Sequence, residues 1–162
     1  VITEATIKYV AMEVEECAEV MKLLEIWAAA LGGSCCKDFA MKPSFGIASG
    51  YKARFPGLPV IGFPRGASGV YIKFADAGVF DGVAIDTSVP ADWARDVLQN
   101  KVAVQGNLDP MLMVIGGDSL ERETKRLLEI LGQGPYIFNL GHGITPQGDP
   151  ANVEKMLRYI RG

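Results

Sequence analysis

The only histidine of the chain, His142, lies between two glycines in the segment "YIFNLGHGITP". The residues before Gly141 are apolar or favour β-structure, so His142 is predicted to follow the carboxyl end of a strand. Flanking glycines let the backbone bend sharply or approach a ligand closely, and an imidazole can exchange a proton near neutral pH. We interpret His142 as a candidate ligand contact, with a turn residue that caps local carbonyls as the alternative.

Other polar residues also follow short apolar runs. Arg65 comes after "VIGFP" and could bind a carboxylate or phosphate, or pair with a nearby acid. Asp86 ends "GVAID". Its carboxylate could act as a general base or accept hydrogen bonds from the amides of the next turn, and the second role is favoured. Asn107 and Asp109 in "QGNLDP" are predicted to fix a loop through turn hydrogen bonds.

The chain has no motif that specifies a metal or nucleotide site. Its three cysteines, Cys17, Cys35 and Cys36, are interpreted as free thiols, because adjacent cysteines rarely form a disulfide. They form no zinc-type C-x₂₋₄-C pair, so no metal ligands are predicted. Walker, dinucleotide-binding and G-x-S-x-G motifs are also missing from the sequence. The residues alone therefore indicate an anionic-ligand site of unknown chemistry.

Composition indicates one globular domain over residues 1–162, because 49% hydrophobic and 22% charged residues suffice for a real core. The net charge is −3, and the basic residues are scattered, so no nucleic-acid partner is expected. No apolar run approaches the roughly 18 residues of a membrane helix, and the acidic opening is unlike a secretory signal. A cytoplasmic protein without a membrane partner is expected.

The periodicity predicts short strands that alternate with amphipathic helices. Strands are predicted within 19–27, 58–63, 82–86, 101–107 and 136–140, and a helical alternative stays open for 19–27. Helices are predicted within 3–18, 37–54, 65–78, 90–98, 119–131 and 151–160. Parallel strands need a crossover helix, so this alternation indicates an α/β fold of parallel βα units. Function is then expected at the carboxyl ends of the strands.

Local signals within the predicted helices assign individual residues. Cys17 is predicted on the buried face of the first helix, and Pro90 in the first turn of the helix within 90–98. Asp118 is expected to cap the helix within 119–131, whose inward face is formed by Leu120, Leu127, Leu128 and Leu131. Asp149-Pro150 predicts a cap and a first-turn proline for the last helix, whose inward residues are Val153, Met156, Leu157 and Ile160.

Four ordered segments, "PVIGFPRGA", "GVAIDTSVPADWA", "VAVQGNLDP" and "YIFNLGHGITP", resemble the uroporphyrinogen decarboxylase family, and the similarity runs through nearly the whole chain. The resemblance implies a (β/α)8 TIM-type barrel, of which this chain would be the C-terminal half. It also implies a cofactor-free carboxy-lyase of haem and porphyrin biosynthesis. Such an enzyme removes the acetate carboxyl groups of uroporphyrinogen III to give coproporphyrinogen III.

The resemblance assigns individual positions. His142 matches the active-site histidine of the family, which implies contact with the tetrapyrrole. Many members read acid-Ser-aromatic-Ala-Gly where this chain has "EIWAA", so Ile26 takes the place of a substrate-contacting serine and lacks its hydroxyl donor. Arg65 is the further cation expected to bind substrate. The arginine-rich loop, aspartate and tyrosine of the family have no counterpart here, so catalytic residues are unassigned and the isolated chain is expected to be incomplete or inactive.

Half a barrel leaves unpaired strand edges, so a homodimer or association with a missing N-terminal half is expected. One alternative is a non-catalytic tetrapyrrole-binding or assembly module. A related corrinoid-dependent methyltransferase is another alternative. It is disfavoured because such enzymes need zinc ligands near strand ends, whereas Cys35 and Cys36 lie in a helix-like stretch.

Overall fold

The structure is a computed structural model that describes residues 1–67 and 69–162; Ser68, in the predicted turn after Arg65, lies outside the described residues. Its strands are β1 (Met21–Glu25), β2 (Val60–Pro64), β3 (Gly82–Ala84), β4 (Ala103–Leu108) and β5 (Tyr136–Leu140). Its helices are α1 (Ile2–Glu15), α2 (Gly33–Cys36), α3 (Lys42–Arg54), α4 (Val70–Asp76), α5 (Ala91–Val97), α6 (Leu112–Ile115), α7 (Gly117–Leu131) and α8 (Pro150–Arg161). None of the described helices is long and apolar enough to cross a membrane.

The chain divides into two compact units, Val1–Val83 and Ala84–Gly162. In the first unit β1 pairs with β2 and β2 pairs with β3, both in parallel. In the second unit β4 and β5 are parallel and pair from Val104 with Tyr136 to Leu108 with Leu140. Helices connect the strands within each unit, as parallel pairing requires. The predicted α/β class of parallel βα units is therefore confirmed.

Strand β2 forms the centre of the first unit and is buried along its whole length. Gly62 on this strand leaves room for aromatic rings, because a Cβ atom there would lie 2.6 Å from Phe74 and 3.0 Å from Phe80. The Phe74 and Phe80 rings stack at 4.8 Å, and Phe45 meets Phe74 edge-on at 5.1 Å. Aromatic pairs of this kind contribute beyond their buried area, so the absent side chain of Gly62 permits the core contact.

Helices α1 and α3 pack through two glycines one turn apart on α3. A Cβ atom at Gly50 would lie 2.5 Å from the end of the Ile7 side chain, whereas one at Gly46 would lie 3.5 Å from Thr3. Helix α3 contains Pro43 in its first turn and follows a π-helical turn, Lys37–Met41. Proline lacks an N–H, and its ring crowds the preceding turn of a helix. A π-helical turn is wider than an α-helical turn, so the helical path continues through Pro43.

In the second unit α7 packs its apolar face inward. Of the four leucines predicted to face inward, Leu120, Leu127 and Leu131 are buried and Leu128 is half-buried. Below them the Gln99 side-chain amide donates to the carbonyls of Leu131 (2.8 Å) and Pro135 (3.2 Å). These hydrogen bonds satisfy carbonyls at the end of α7 and before β5, where a buried unpaired carbonyl would be costly.

Some local predictions were wrong. Asp118 does not cap α7: the cap position is Gly116, and Asp118 lies in the first helical turn, where its charge favours the helix dipole. Pro90 is the residue before α5 rather than its first residue. Leu157, predicted to face inward, is 39% exposed, because α8 packs on α6 and α7 from one side.

The length of α1 and the existence of α6 also differ from prediction. Helix α1 ends at Glu15, and Cys17, predicted on its buried face, adopts a left-handed φ of 72° and is exposed. Helix α6 was not predicted, because one four-residue turn carries too little periodicity to recognise.

We expect Gly46→Ala and Gly50→Ala to have opposite effects on stability. Alanine stabilises a helix by up to about 1 kcal/mol relative to glycine, and position 46 has room for the methyl group. At position 50 the methyl group must displace Ile7, so the free energy of unfolding in urea should fall. Ile7→Ala should cost less stability in the Gly50→Ala protein than in the unaltered protein; equal stability of both single glycine variants would contradict this packing.

We expect Asp149→Ala to destabilise α8 by about 1 kcal/mol, the usual cost of losing a helix cap. The Asp149 carboxylate accepts from the Ala151 amide at 2.9 Å, as the Asp-Pro signal predicted. Asp149→Asn keeps an acceptor and is the matched control. Thermal unfolding of both variants checks this, and an equal loss in the two variants would assign the effect to charge.

Candidate functional site

His142 lies just beyond the carboxyl end of β5 and is exposed. Its ring Nδ1 accepts a hydrogen bond from the Gly143 amide at 2.5 Å. A neutral imidazole that accepts at Nδ1 carries its proton on Nε2. His142 can therefore present Nε2–H as a donor at the strand end.

Gly141, the residue before His142, is buried at a close meeting of loops in the second unit. Its amide donates to the Leu108 carbonyl at 2.8 Å, which extends the β4–β5 pairing beyond the strands. A Cβ atom at position 141 would lie 2.6 Å from the Thr87 nitrogen. Only glycine allows this approach, so the loop after β3 and the residues around His142 are held together.

The loop after β3 is fixed by Asp86 and Asn107. The Asp86 carboxylate accepts hydrogen bonds from the Ser88 backbone amide at 2.8 Å and from the Ser88 hydroxyl at 2.5 Å. The Asn107 amide donates to the carbonyls of Asp86 (2.8 Å) and Val89 (2.7 Å). Both side chains are at least nine-tenths buried. These contacts match the loop-fixing interpretation of Asp86 and Asn107 rather than general-base chemistry.

Tyr136 supports the neighbouring strand, a role that the sequence did not indicate. Its hydroxyl donates to the Gly106 carbonyl. Burial raises the pKa of the Tyr136 phenol well above its ordinary value, so the group stays a neutral donor. Gly106 has a φ of +133°, and a Cβ atom there would lie 2.6 Å from the Ile85 carbonyl oxygen. Strand β4 is thus held in a conformation that suits glycine.

A cavity of about 350 Å³ lies beside the loop after β3. Its charged lining residues are Asp92, Asp109, Glu123 and Arg126. The Arg126 guanidinium bonds to Glu123 at 2.8 Å, and the Asp109 carboxylate accepts from the Met111 amide at 2.9 Å. The predicted turn role of Asp109 agrees with this contact. Carboxylates outnumber cations in this lining, so it does not favour an anionic ligand.

In the first unit Ile26 and Arg65 follow neighbouring strands. The Arg65 amide donates to the Glu25 carbonyl at 3.0 Å, directly after the paired ends of β1 and β2. Ile26 is 43% exposed, and Trp27 beside it is 72% exposed. Arg65 is half-buried, and its guanidinium has no carboxylate partner among residues 1–67 and 69–162. The structure therefore brings Ile26 and Arg65 together, whereas His142 belongs to the second unit.

A second cavity, of about 420 Å³, lies within the first unit and has mainly apolar walls that include Ala28, Cys36 and Val70. Lys73 is the charged residue of its described lining. Gly66, with a φ of +69°, approaches Ala29 so closely that a Cβ atom would lie 2.7 Å from the Ala29 methyl group.

Cysteine chemistry is limited to free thiols in the described chain. Cys17 and Cys35 are exposed, and Cys36 is buried. Across residues 1–67 and 69–162, no three His, Cys, Asp or Glu side chains form a group that could hold a metal ion.

Comparison with known proteins identifies the family. The family model "Uroporphyrinogen decarboxylase (URO-D)" matches residues 1–162. Uroporphyrinogen decarboxylase of Paracoccus denitrificans is 53% identical over 161 residues, covering 99% of this chain and 47% of that protein. The Rhodobacter capsulatus enzyme of the same name is 50% identical over 161 residues, with the same coverage. The chain thus spans about half the length of these curated relatives.

Among solved structures, a methyltransferase from Methanosarcina mazei has a TM-score of 0.78 at 23% identity, covering 97% of this chain and 46% of that one. This likeness shows the fold alone. Together with the family match it confirms the predicted class, the C-terminal half of a TIM-type barrel. The chain belongs to the uroporphyrinogen decarboxylase family.

Proposed function

We propose that this chain is the C-terminal half of a uroporphyrinogen decarboxylase and that His142 binds the tetrapyrrole. The observation that carries the proposal is 53% identity to a uroporphyrinogen decarboxylase over almost the whole chain. The exposed position of His142 beyond β5 supports its role, because ligands of βα proteins bind at the carboxyl ends of the strands.

The substrate explains why the two donors matter. Uroporphyrinogen carries many carboxylates, and a chain of net charge −3 gives them no general attraction. Binding must then come from local donors. The Arg65 guanidinium, which has no carboxylate partner in the described part of the chain, can hold a carboxylate with two hydrogen bonds, and His142 offers Nε2–H.

The reaction needs more than these donors. A proton adds to the pyrrole ring, the bond to the carboxylate breaks, and the electron pair neutralises the ring cation as carbon dioxide leaves. The exocyclic carbon then takes a proton while the ring gives one up, which leaves a methyl group. The ring cation must be held near fixed negative charge, and no residue here matches the family's central aspartate. This chain would bind and orient substrate, and the other half would supply that charge.

Ile26 favours a second candidate function, a non-catalytic tetrapyrrole-binding or assembly module. Where the family has a serine, this branched apolar side chain is 43% exposed and offers no hydrogen bond to a carboxylate. Substrate would then be held more weakly at the end of β1 than in members with serine. Activity of the assembled protein separates the two functions.

The partner that we propose is the N-terminal half of the enzyme. Leu24 on β1 is 58% exposed and Ile137 on β5 is 41% exposed, so each unit has an apolar strand residue that another element could cover. A homodimer of the assembled protein and a cytoplasmic location stay predictions.

We expect decarboxylation only when the chain is combined with an N-terminal half. The chain is purified alone and co-expressed with the N-terminal half of the Paracoccus denitrificans relative. Both preparations are incubated anaerobically with uroporphyrinogen III, and the oxidised products are separated by chromatography. Coproporphyrin should form only in the co-expressed sample.

Three other outcomes are informative. Porphyrinogen binding without turnover, even with the N-terminal half, would favour the non-catalytic module. If the combined halves show no binding and no decarboxylation, the proposal is defeated. Stoichiometric zinc in the purified protein would favour the methyltransferase alternative.

We expect His142→Gln to retain substrate binding better than His142→Asn. The glutamine amide nitrogen occupies a place similar to Nε2, whereas the asparagine nitrogen corresponds to Nδ1. Losing a hydrogen bond to a charged group costs about 1.5–3 kcal/mol, so Kd should rise roughly tenfold or more for His142→Asn. Titration of the co-expressed protein with uroporphyrinogen measures this. Equal affinity of the two variants would argue against an Nε2 donor.

A further inference from the structure

The loop after β5, residues 141–149, carries His142 and is anchored at both ends. At its start the Gly141 amide donates to the Leu108 carbonyl at 2.8 Å. At its end the Asp149 amide donates to the Met113 carbonyl of α6 at 2.8 Å. The second anchor joins this loop to a helix that lies far earlier in the chain.

Asn152 strengthens the second anchor. Its side chain is 4% exposed, and its Nδ2 donates to the same Met113 carbonyl at 3.1 Å. Its backbone amide donates to the Asp149 carbonyl at 2.9 Å. The Lys155 ammonium reaches the Asn152 Oδ1 at 3.4 Å. One buried amide therefore ties α6, the end of the loop and the start of α8.

Gly116 holds the Asn152 amide in place. A Cβ atom at position 116 would lie 2.5 Å from Oδ1 and 2.6 Å from Nδ2 of Asn152. Gly116 is buried and has a φ of +64°. The backbone between α6 and α7 thus packs directly against the side-chain amide, which leaves that amide little freedom to rotate.

Contacts within the loop connect the second anchor to His142. The Gly148 amide donates to the Thr145 carbonyl at 2.9 Å. Ile144 lies over Gly148, where a Cβ atom would be 2.8 Å from the Ile144 Cγ1. Ile144 is two residues from His142, so these contacts hold the backbone up to two residues from the histidine, and the chain itself makes the remaining connection.

We infer that Asn152 is a positioning residue for His142: through Met113 and the 145–148 turn, its buried amide holds the histidine-bearing loop in one conformation. The inference deepens the proposed function, because a fixed loop gives the Nε2 donor a defined place. Its physical test needs no substrate and therefore stands apart from the decarboxylation assay.

Asn152→Asp is the direct test. Aspartate keeps the shape but replaces the Nδ2 donor with an oxygen that repels the Met113 carbonyl. An acid in the first turn of α8 favours the helix dipole, so the helix should form. Lys155→Met removes the other side-chain contact of Asn152 and is the control.

Two glycine variants give a second, independent pair. Gly116→Ala forces a methyl group into the Asn152 amide, whereas a Cβ atom at Gly117 meets nothing within 4 Å. Both glycines have a positive φ, +64° and +61°, and Gly116 also has a ψ of −150°, a backbone region that is essentially restricted to glycine. Gly117→Ala therefore controls for the strain of a positive φ at the same turn, and Asn152→Asp tests the amide without changing the backbone of Gly116.

Amide hydrogen exchange over residues 143–149 and the nitrogen spectrum of the lone histidine are measured for all four variants. We expect exchange about fivefold faster or more, with altered His142 ring signals, in Asn152→Asp and Gly116→Ala alone. The inference is overturned if loop and ring are unchanged in Asn152→Asp. It is also overturned if α7 and β4 exchange faster by the same factor, or if both controls reproduce the effect. Failure of decarboxylation with these results intact would defeat the proposed function only.

Discussion

The backbone contact between Gly141 and Thr87 is the constraint on which the candidate site of the second unit depends. A side chain at position 141 would place a carbon 2.6 Å from the Thr87 nitrogen. Because glycine removes that atom, the loop after β3 and the end of β5 lie against each other. Asn107 fixes the other side of the same loop through the Asp86 and Val89 carbonyls. His142 thus follows a point where the backbone has little freedom.

Glycine has a similar part in the packing of the first unit. Gly62 makes room for Phe74, and Gly50 makes room for Ile7. In both places a missing side chain lets a larger apolar group fill the space, and dense packing of that kind contributes much of the stability of a small core. A stable core holds β1 and β2 in register, and this register places Ile26 beside Arg65.

The hydrogen-bond donors and the buried carboxylate near the strand ends differ in whether a ligand could use them. His142 and Arg65 are the donors that we propose for an anionic ligand, while the buried carboxylate of Asp86 is occupied by its own turn. Electrostatic catalysis needs fixed charge at the reacting group, and binding donors alone do not provide it. The chain spans about half the length of its curated relatives, and under the proposed function this half binds substrate while the other half supplies the central charge.

Features that depend on neighbours in sequence were predictable. Strand β5, the inward leucines of α7 and the Asp149 cap were all recognised, because apolar spacing and capping act over one or two turns. The position of His142 after a strand followed from the same local signals. Tertiary structure alone decided the rest. Two glycines with positive φ start α7 before Asp118, and packing on one side of α8 leaves Leu157 exposed. The Asn152 side chain reaches the Met113 carbonyl, 39 residues away in sequence. Local sequence patterns do not encode which distant backbone group a buried side chain will meet, because that depends on how the helices and strands pack.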